Sequence, residues 1–139
     1  MTDCIFCKIA NKEIPSYLIK ESENFMSFLD INPHAPGHSL VIPKVHFSNL
    51  KEFEDELSSE FIKIIKDTMI DISKALNTDS FTLGINEGKL AGQAVLHLHF
   101  HIIPRFFSDK GGSIHSVVIN KPNESIEEIY KKIKNESQN

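Results

Sequence analysis

The sequence predicts an α+β fold, a five-stranded antiparallel sheet with one long and one short helix. Three features point that way. Short strand-patterned segments separated by turn residues occupy positions 17–43 and 80–103. A single stretch, 52–77, carries apolar residues at helical spacing. The run His97-Leu98-His99-Phe100-His101 alternates with the period of two that belongs to strands. Antiparallel-type strands interrupted by one long helix make an α+β architecture.

In chain order, residues 4–10 read as a short helix with Ile5, Phe6 and Ile9 on its apolar side and Asp3 as its cap. Pro15 ends this region. Residues 17–20 and 25–29 read as two strands joined by the polar turn Glu21-Ser22-Glu23-Asn24. A loop with two prolines and a glycine, 30–37, leads to a third strand, 38–43, stopped by its own proline. Over 52–77, Phe61, Ile64, Ile65, Thr68, Met69, Ile72, Ala75 and Leu76 form a stripe that reads as core, with Lys63, Lys66, Asp67 and Lys74 opposite. Residues 80–86 give a fourth strand, 87–92 a loop with two glycines, and the histidine stretch the fifth strand.

After Pro104 the character changes. Residues 108–113 read as a turn and 117–119 as a further strand candidate. Ser125-Ile126-Glu127-Glu128 fits a capping box that opens a last helix through Lys134, with Ile126, Ile129, Tyr130 and Ile133 on one face. The Asn- and Ser-rich end reads as frayed. With no internal repeat and no linker, the expectation is one domain over 1–139, its core at about 4–105 and an extension over 106–139.

The bulk numbers narrow the function classes. A chain of 139 residues is the size of one domain and buries roughly two-thirds of its unfolded surface. An apolar fraction of 40% and a charged fraction of 24% exclude disordered and fibrous classes. The net charge of −4 argues against binding a nucleic-acid backbone but leaves room for one nucleotide in a pocket. No apolar run approaches the roughly 18 residues of a membrane span, and Asp3 and Lys8 interrupt any leader. A cytoplasmic protein without membrane or nucleic-acid partners is expected.

On a strand, the three imidazoles share one face about 6.6 Å apart, with Leu96, Leu98, Phe100 and Ile102 on the other. Each needs a hydrogen-bond partner when buried, so three in register are costly for stability alone and read as a site. Two chemistries use such a row: convergence on a zinc ion with an open position, or one nucleophilic imidazole whose neighbours steer protons and bind an anion. Cys4 and Cys7 are the only cysteines. They read as half of a zinc site completed by His46 and His97, or as two small buried residues of a helix. A redox pair is disfavoured because no strand precedes Cys4. Asn86-Glu87-Gly88 and Gly92-Gln93-Ala94 form a loop suited to close approach by an anion. Asp30 reads as a turn cap or as an acceptor for ribose hydroxyls.

Taken together, these motifs resemble the histidine triad (HIT) superfamily of nucleotide-binding proteins. His97-Leu98-His99-Phe100-His101-Ile102-Ile103 matches its signature. Ile5-Phe6-Cys7-Lys8-Ile9, Asp30-Ile31-Asn32-Pro33, Pro36-Gly37-His38, Val41-Ile42-Pro43-Lys44 with His46, and Asn86-Glu87-Gly88 match in order. The branch it resembles is the bacterial-type purine nucleoside phosphoramidase. The resemblance implies a HIT-like fold with its sheet extended across a homodimer. It implies a purine nucleotide such as AMP at the site and hydrolysis of nucleoside 5′-phosphoramidates or related nucleotidyl bonds. Diadenosine polyphosphate hydrolysis and a non-catalytic nucleotide-binding role are its alternatives.

By position, the resemblance makes His99 the nucleophile that forms a nucleotidyl-imidazole, flanked by His97 and His101, with His38 near the phosphate and the proton path. Asp30 would take the ribose and Ile31 the base, while Asn86, Gly92, Gln93 and Ala94 would meet ribose and phosphate. A structural zinc maps onto Cys4, Cys7, His46 and His97, and no cofactor is needed for the chemistry. The open catalytic-zinc reading then loses, since a nucleophile needs its nitrogen unmetallated. Two departures stand out. Ala94 lies where several relatives carry a hydroxyl, and the segment after Arg105 does not match the Trp-containing terminus of the eukaryotic phosphoramidases, which leaves the leaving group open.

Overall fold

Two buried strands sit at the centre. In the computed structural model, which describes residues 3–137, β2 (Phe25–Leu29) and β3 (Ser39–Pro43) pair antiparallel from Phe25↔Pro43 to Leu29↔Ser39. β1 (Leu18–Glu21) flanks β2, β5 (Phe100–Pro104) pairs with β3, and β4 (Phe81–Gly84) forms the far edge. The order is β1-β2-β3-β5-β4 with every pairing antiparallel, the sheet the sequence predicts.

Side chains of β2 and β3 leave the sheet alternately, as the strand period requires, and both faces are covered. Phe25, Val41 and Ile102 pack under α2 (Ser58–Leu76) with Phe61, Ile64, Ile65 and Ile72. Met26, Phe28, Leu40 and Ile42 pack under α1 (Ile5–Ala10) with Phe6, Ile9 and Ala10. Ser27 also faces α2, where its Oγ lies 2.7 Å from Thr68 Oγ1. That hydroxyl is 2.7 Å from the Ile64 carbonyl oxygen, so the buried polar pair is satisfied.

Several elements differ from the sequence reading. α1 is capped by Cys4, not Asp3: the Cys7 N–H donates to Cys4 Sγ at 3.4 Å. Residues 50–57 form two 3-10 turns before α2 instead of its first turns, because Phe53 is extended and the Asn49 side chain accepts the Glu52 N–H. Within α2, Ala75 and Leu76 are exposed. Residues 117–119 form no strand and are solvent-facing. The last helix, α3 (Ile126–Ser137), opens on Ser125 as expected, with the Glu128 N–H donating to Ser125 Oγ at 3.1 Å.

The largest difference lies in the histidine row. Only Phe100 onward is strand. The ladder with β3 ends at Val41↔Phe100, and upstream of it Leu98 N–H donates to Phe47 O at 2.6 Å. His97 and Leu98 are both fully buried and Leu96 is exposed, so the alternation of faces fails before residue 99.

Candidate functional site

The cysteines meet two histidines behind the row. His46, in the loop after β3, places Nδ1 3.3 Å from Cys7 Sγ. His97 places Nδ1 3.3 Å from Cys4 Sγ and 3.5 Å from Cys7 Sγ. The four ligand atoms lie within 4.8 Å of one another. His97 Nε2 is 2.8 Å from the Pro43 carbonyl oxygen. A carbonyl only accepts, so Nε2 carries the proton and Nδ1 turns its lone pair to the sulfurs. Burial pushes His97 down to about 4 and the Cys7 thiol up, the latter helped by Cys4. Two sulfurs and two imidazole nitrogens at this spread, with the His97 lone pair turned inward, fit a tetrahedral zinc site.

Main-chain groups set the other histidines. His99 Nδ1 lies 2.7 Å from the carbonyl oxygen of His97, which fixes a proton on Nδ1 and leaves Nε2 with a free lone pair. His38 Nδ1 accepts the His34 N–H at 3.1 Å, so the ring proton of neutral His38 is on Nε2. That Nε2 donates to His101 Nδ1 at 2.9 Å, and His101 therefore carries its own proton on Nε2. Burial lowers His38, and burial followed by the neighbouring imidazoles pushes His101 down to about 4. Both rings are uncharged at neutral pH. Asp30 bears out the turn reading, its Oδ1 accepting the Asn32 N–H at 2.9 Å, while Oδ2 stands 3.6 Å from His38 Nε2. Asp30, His38 and His101 also cluster, but their closest contact is this histidine–histidine hydrogen bond.

A cavity of about 410 Å³ lies over His99 and His101, within the range of small-molecule sites. Ile5, Phe6, Ile9, Phe28 and Ile31 give it an apolar wall; Asp30, His38, Asn86, Gly92 and Ala94 line it as well. Gly88 and Gly92 both hold φ at +88°, which glycine alone adopts freely, and shape the loop beside it. Gln93 is absent from the lining. Its Oε1 accepts the Gly88 N–H at 2.9 Å, and its Nε2 donates to Ser48 O at 2.7 Å and Val95 O at 3.1 Å, so it ties the loop from behind.

The candidate site residues fall in these two neighbouring centres, apart from Gln93; Glu87 and Gly88 of the same loop lie outside both, with Glu87 accepting the Leu50 N–H. Three contributors go unmarked in the sequence reading: the His34 N–H, the Pro43 carbonyl, and the ring of Phe6. The Phe6 ring lies 5.8 Å from His97, edge-on, and 5.0 Å from His99. Phe6 carried a signal as one of the two apolar residues between the cysteines, and Pro43 only as the stop of its strand.

An antiparallel sheet presenting a histidine row at a single-ligand cavity, with a thiol–imidazole cluster behind it, defines a narrow class. The family model described as the HIT domain matches residues 11–108, and the chain belongs to the HIT family. A HIT-like protein of Methanocaldococcus jannaschii is 42% identical over 135 residues, 94% of this chain and 98% of its own. Adenosine 5′-monophosphoramidase of Saccharomyces cerevisiae is 43% identical over 102 residues, 73% of this chain and 62% of its own. The crystal structure of a HIT family member from Bacillus subtilis matches with a TM-score of 0.83 at 33% identity, over 98% of this chain and 96% of its own. That match takes in the segment after residue 108. No helix among the described residues is long and apolar enough to cross a membrane.

Proposed function

We propose that the chain hydrolyses a purine nucleoside 5′-phosphoramidate, or a related nucleotidyl bond, and releases the nucleoside monophosphate through a nucleotidyl-His99 intermediate. The observation that carries the reading is the opposite use of Nδ1 in two neighbouring imidazoles: it donates in His99 and accepts in His101. His99 is thereby left with a nucleophilic Nε2, and His101 with an Nε2–H donor. The yeast relative named as an adenosine 5′-monophosphoramidase supports the substrate class.

In this reading His99 Nε2 attacks the α-phosphorus and the bond to the leaving nitrogen breaks. Water then attacks the same phosphorus, displaces the imidazole and frees the monophosphate. His101 Nε2–H hydrogen-bonds the phosphoryl group as charge develops on it, with His38 holding that ring. Asp30 receives the ribose hydroxyls, Asn86, Gly92 and Ala94 face ribose and phosphate, and Ile31 with Phe6 flanks the base. Gln93 acts on the phosphate only through the loop it ties. Cys4, Cys7, His46 and His97 hold zinc, which supplies a structural anchor behind the row and takes no part in the displacement. The active form is a homodimer.

The test is intact-protein mass spectrometry after brief incubation with adenosine 5′-phosphoramidate, beside His99→Ala. A transient gain of one nucleotidyl group on wild type alone is expected. Tight binding of AMP with neither adduct nor turnover would overturn the enzyme reading and leave a nucleotide-binding module.

A further inference from the structure

We infer that Cys4 and Cys7 form an oxidation site: a peroxide joins them in a disulfide, and closing that bond loosens the nucleotide cavity through Phe6. This rests on the cavity and the zinc centre of the reading above, not on the displacement at His99.

The two sulfurs are placed for each other and for an oxidant. Both are free thiols. Both approach His97 Nδ1, at 3.3 and 3.5 Å, and they lie within 4.8 Å of one another. Cys4 is half-buried and opens, with His46, onto a second cavity of about 540 Å³ lined also by Asp3, Ser48, Ala94 and Leu96. Cys7 lies behind it, buried. A peroxide therefore enters at Cys4, and Cys7 completes the reaction. The Cys4 sulfur takes one peroxide oxygen as a sulfenic acid, and a first water leaves. The Cys7 thiol then attacks that sulfur, the S–O bond breaks, and a second water leaves as the S–S bond forms. Two thiols and one peroxide give one disulfide and two waters, the peroxide taking up both electrons and both thiol protons. From the zinc-bound thiolates the two protons come from solvent, and the ion is released, because two imidazoles are only half of a four-coordinate site.

Phe6 carries the change to the cavity, since it lies between the two cysteines and belongs to both centres. Its ring is 5.8 Å from His97 and 5.0 Å from His99, and it lines the nucleotide cavity with Ile5 and Ile9 of the same helix. That helix has only six residues, and its first turn is tied by the Cys7 N–H to Cys4 Sγ and by Cys7 Sγ to His46 and His97. Side chains three apart around a helical turn stand about 5–6 Å apart at Cβ. A disulfide needs roughly 3.5–4.5 Å there. Closure thus contracts the first turn of α1, breaks these ties and draws Phe6 away from His99. Loss of the metal alone does not. In the reduced chain the Cys4 thiol still donates to His97 Nδ1 and the Cys7 thiol to His46 Nδ1, each at 3.3 Å, and α1 keeps its place.

The test treats the full chain, reduced and zinc-loaded, with equimolar hydrogen peroxide. The tryptic peptide ending at Lys8 is expected to lose two hydrogen masses and to refuse iodoacetamide. A chromogenic chelator should register the released zinc, and AMP binding should weaken about fivefold or more. Dithiothreitol with added zinc should reverse all three. A reduced sample stripped of metal, at a temperature where circular dichroism shows it folded, is expected to bind AMP nearly as the loaded protein does. Peroxide that leaves both thiols free, or carries Cys4 on to a sulfinic acid, overturns the inference. So does a disulfide with unchanged AMP affinity, or equal weakening in the stripped, reduced protein. The nucleotidyl adduct is read on the reduced sample. Its absence beside an AMP affinity that follows the thiol state removes the proposed displacement and leaves the oxidation site standing.

Discussion

His38 Nε2 and His101 Nδ1 lie 2.9 Å apart, and a main-chain group determines which of them holds the proton. The His34 N–H fills His38 Nδ1 at 3.1 Å, forces the His38 proton onto Nε2 and so turns His101 into an outward donor. One turn of sequence away, the His97 carbonyl does the reverse to His99. Neighbouring imidazoles of identical chemistry are thus set to opposite tautomers by backbone atoms that the loop before β3 and the irregular start of β5 supply.

His38→Ala is the first consequence. Without its Nε2–H, His101 loses the donor that selects its tautomer, and a share of molecules will present a lone pair to the phosphate instead of an N–H. Turnover of adenosine 5′-phosphoramidate is expected to fall about 10- to 100-fold, as when an orienting partner of a site residue is lost, with KM changed far less. Nitrogen-15 NMR should show His101 shifting from Nε2–H toward a mixture. An unchanged tautomer and rate would remove His38 from the proton path.

Removing the metal ligands should act on stability first. Cys7→Ser leaves the cluster with one sulfur, and α1 loses its tie to His97 and His46. Native mass spectrometry is expected to count one zinc per wild-type chain and none in the variant, and the melting temperature should drop in step with metal loss during chelation. Turnover should decline only as the protein unfolds. A chelator that stops turnover while the fold persists would restore the catalytic-metal reading of the row.

Much of this was legible in the residues. Strand β2 begins and ends where its apolar pattern does, Phe25–Leu29, and the triad and the cysteine pair stood out by spacing, while His38 and the choice of a ribose role for Asp30 came only with the family resemblance. The misses share one physical origin, main-chain hydrogen bonding that residue type does not encode. The strand period over residues 96–103 was carried by side chains, but Leu98 N–H pairs with the Phe47 carbonyl and the strand starts two residues later. Gln93 had the right chemistry for a phosphate, and its amide is spent on Gly88, Ser48 and Val95. Asp3 stood at a cap position that the Cys4 sulfur fills.

Glu60 tests the opposite case, a polar residue that serves only the fold. Its carboxylate accepts from Ser22 Oγ at 2.5 Å, Asn24 N–H at 2.7 Å and Asn24 Nδ2 at 2.9 Å, clasping the β1–β2 turn to the start of α2. Glu60→Ala is expected to cost about 1.5–3 kcal/mol in urea unfolding, the range for hydrogen bonds to a charged group. Its kcat should stay at the wild-type value. A change in kcat would show that the turn communicates with the cavity.

Acid should expose the buried imidazoles. Burial lowers His38 and, with the neighbouring histidines, pushes His101 down to about 4, whereas an unfolded histidine titrates near 6.5. Between about pH 6.5 and 4 the unfolded chain therefore binds protons that the folded chain refuses. Stability rises with pH wherever the unfolded state holds more protons, so it should fall as pH drops through this window and be insensitive to these groups above it. The urea midpoint is expected to decrease from pH 7 to pH 4.5, and His101→Asn, which has no proton to take up, should flatten part of that slope. Equal slopes for the two proteins would mean that His101 is solvated in solution and that its neutral, donor-out state is not held by the fold.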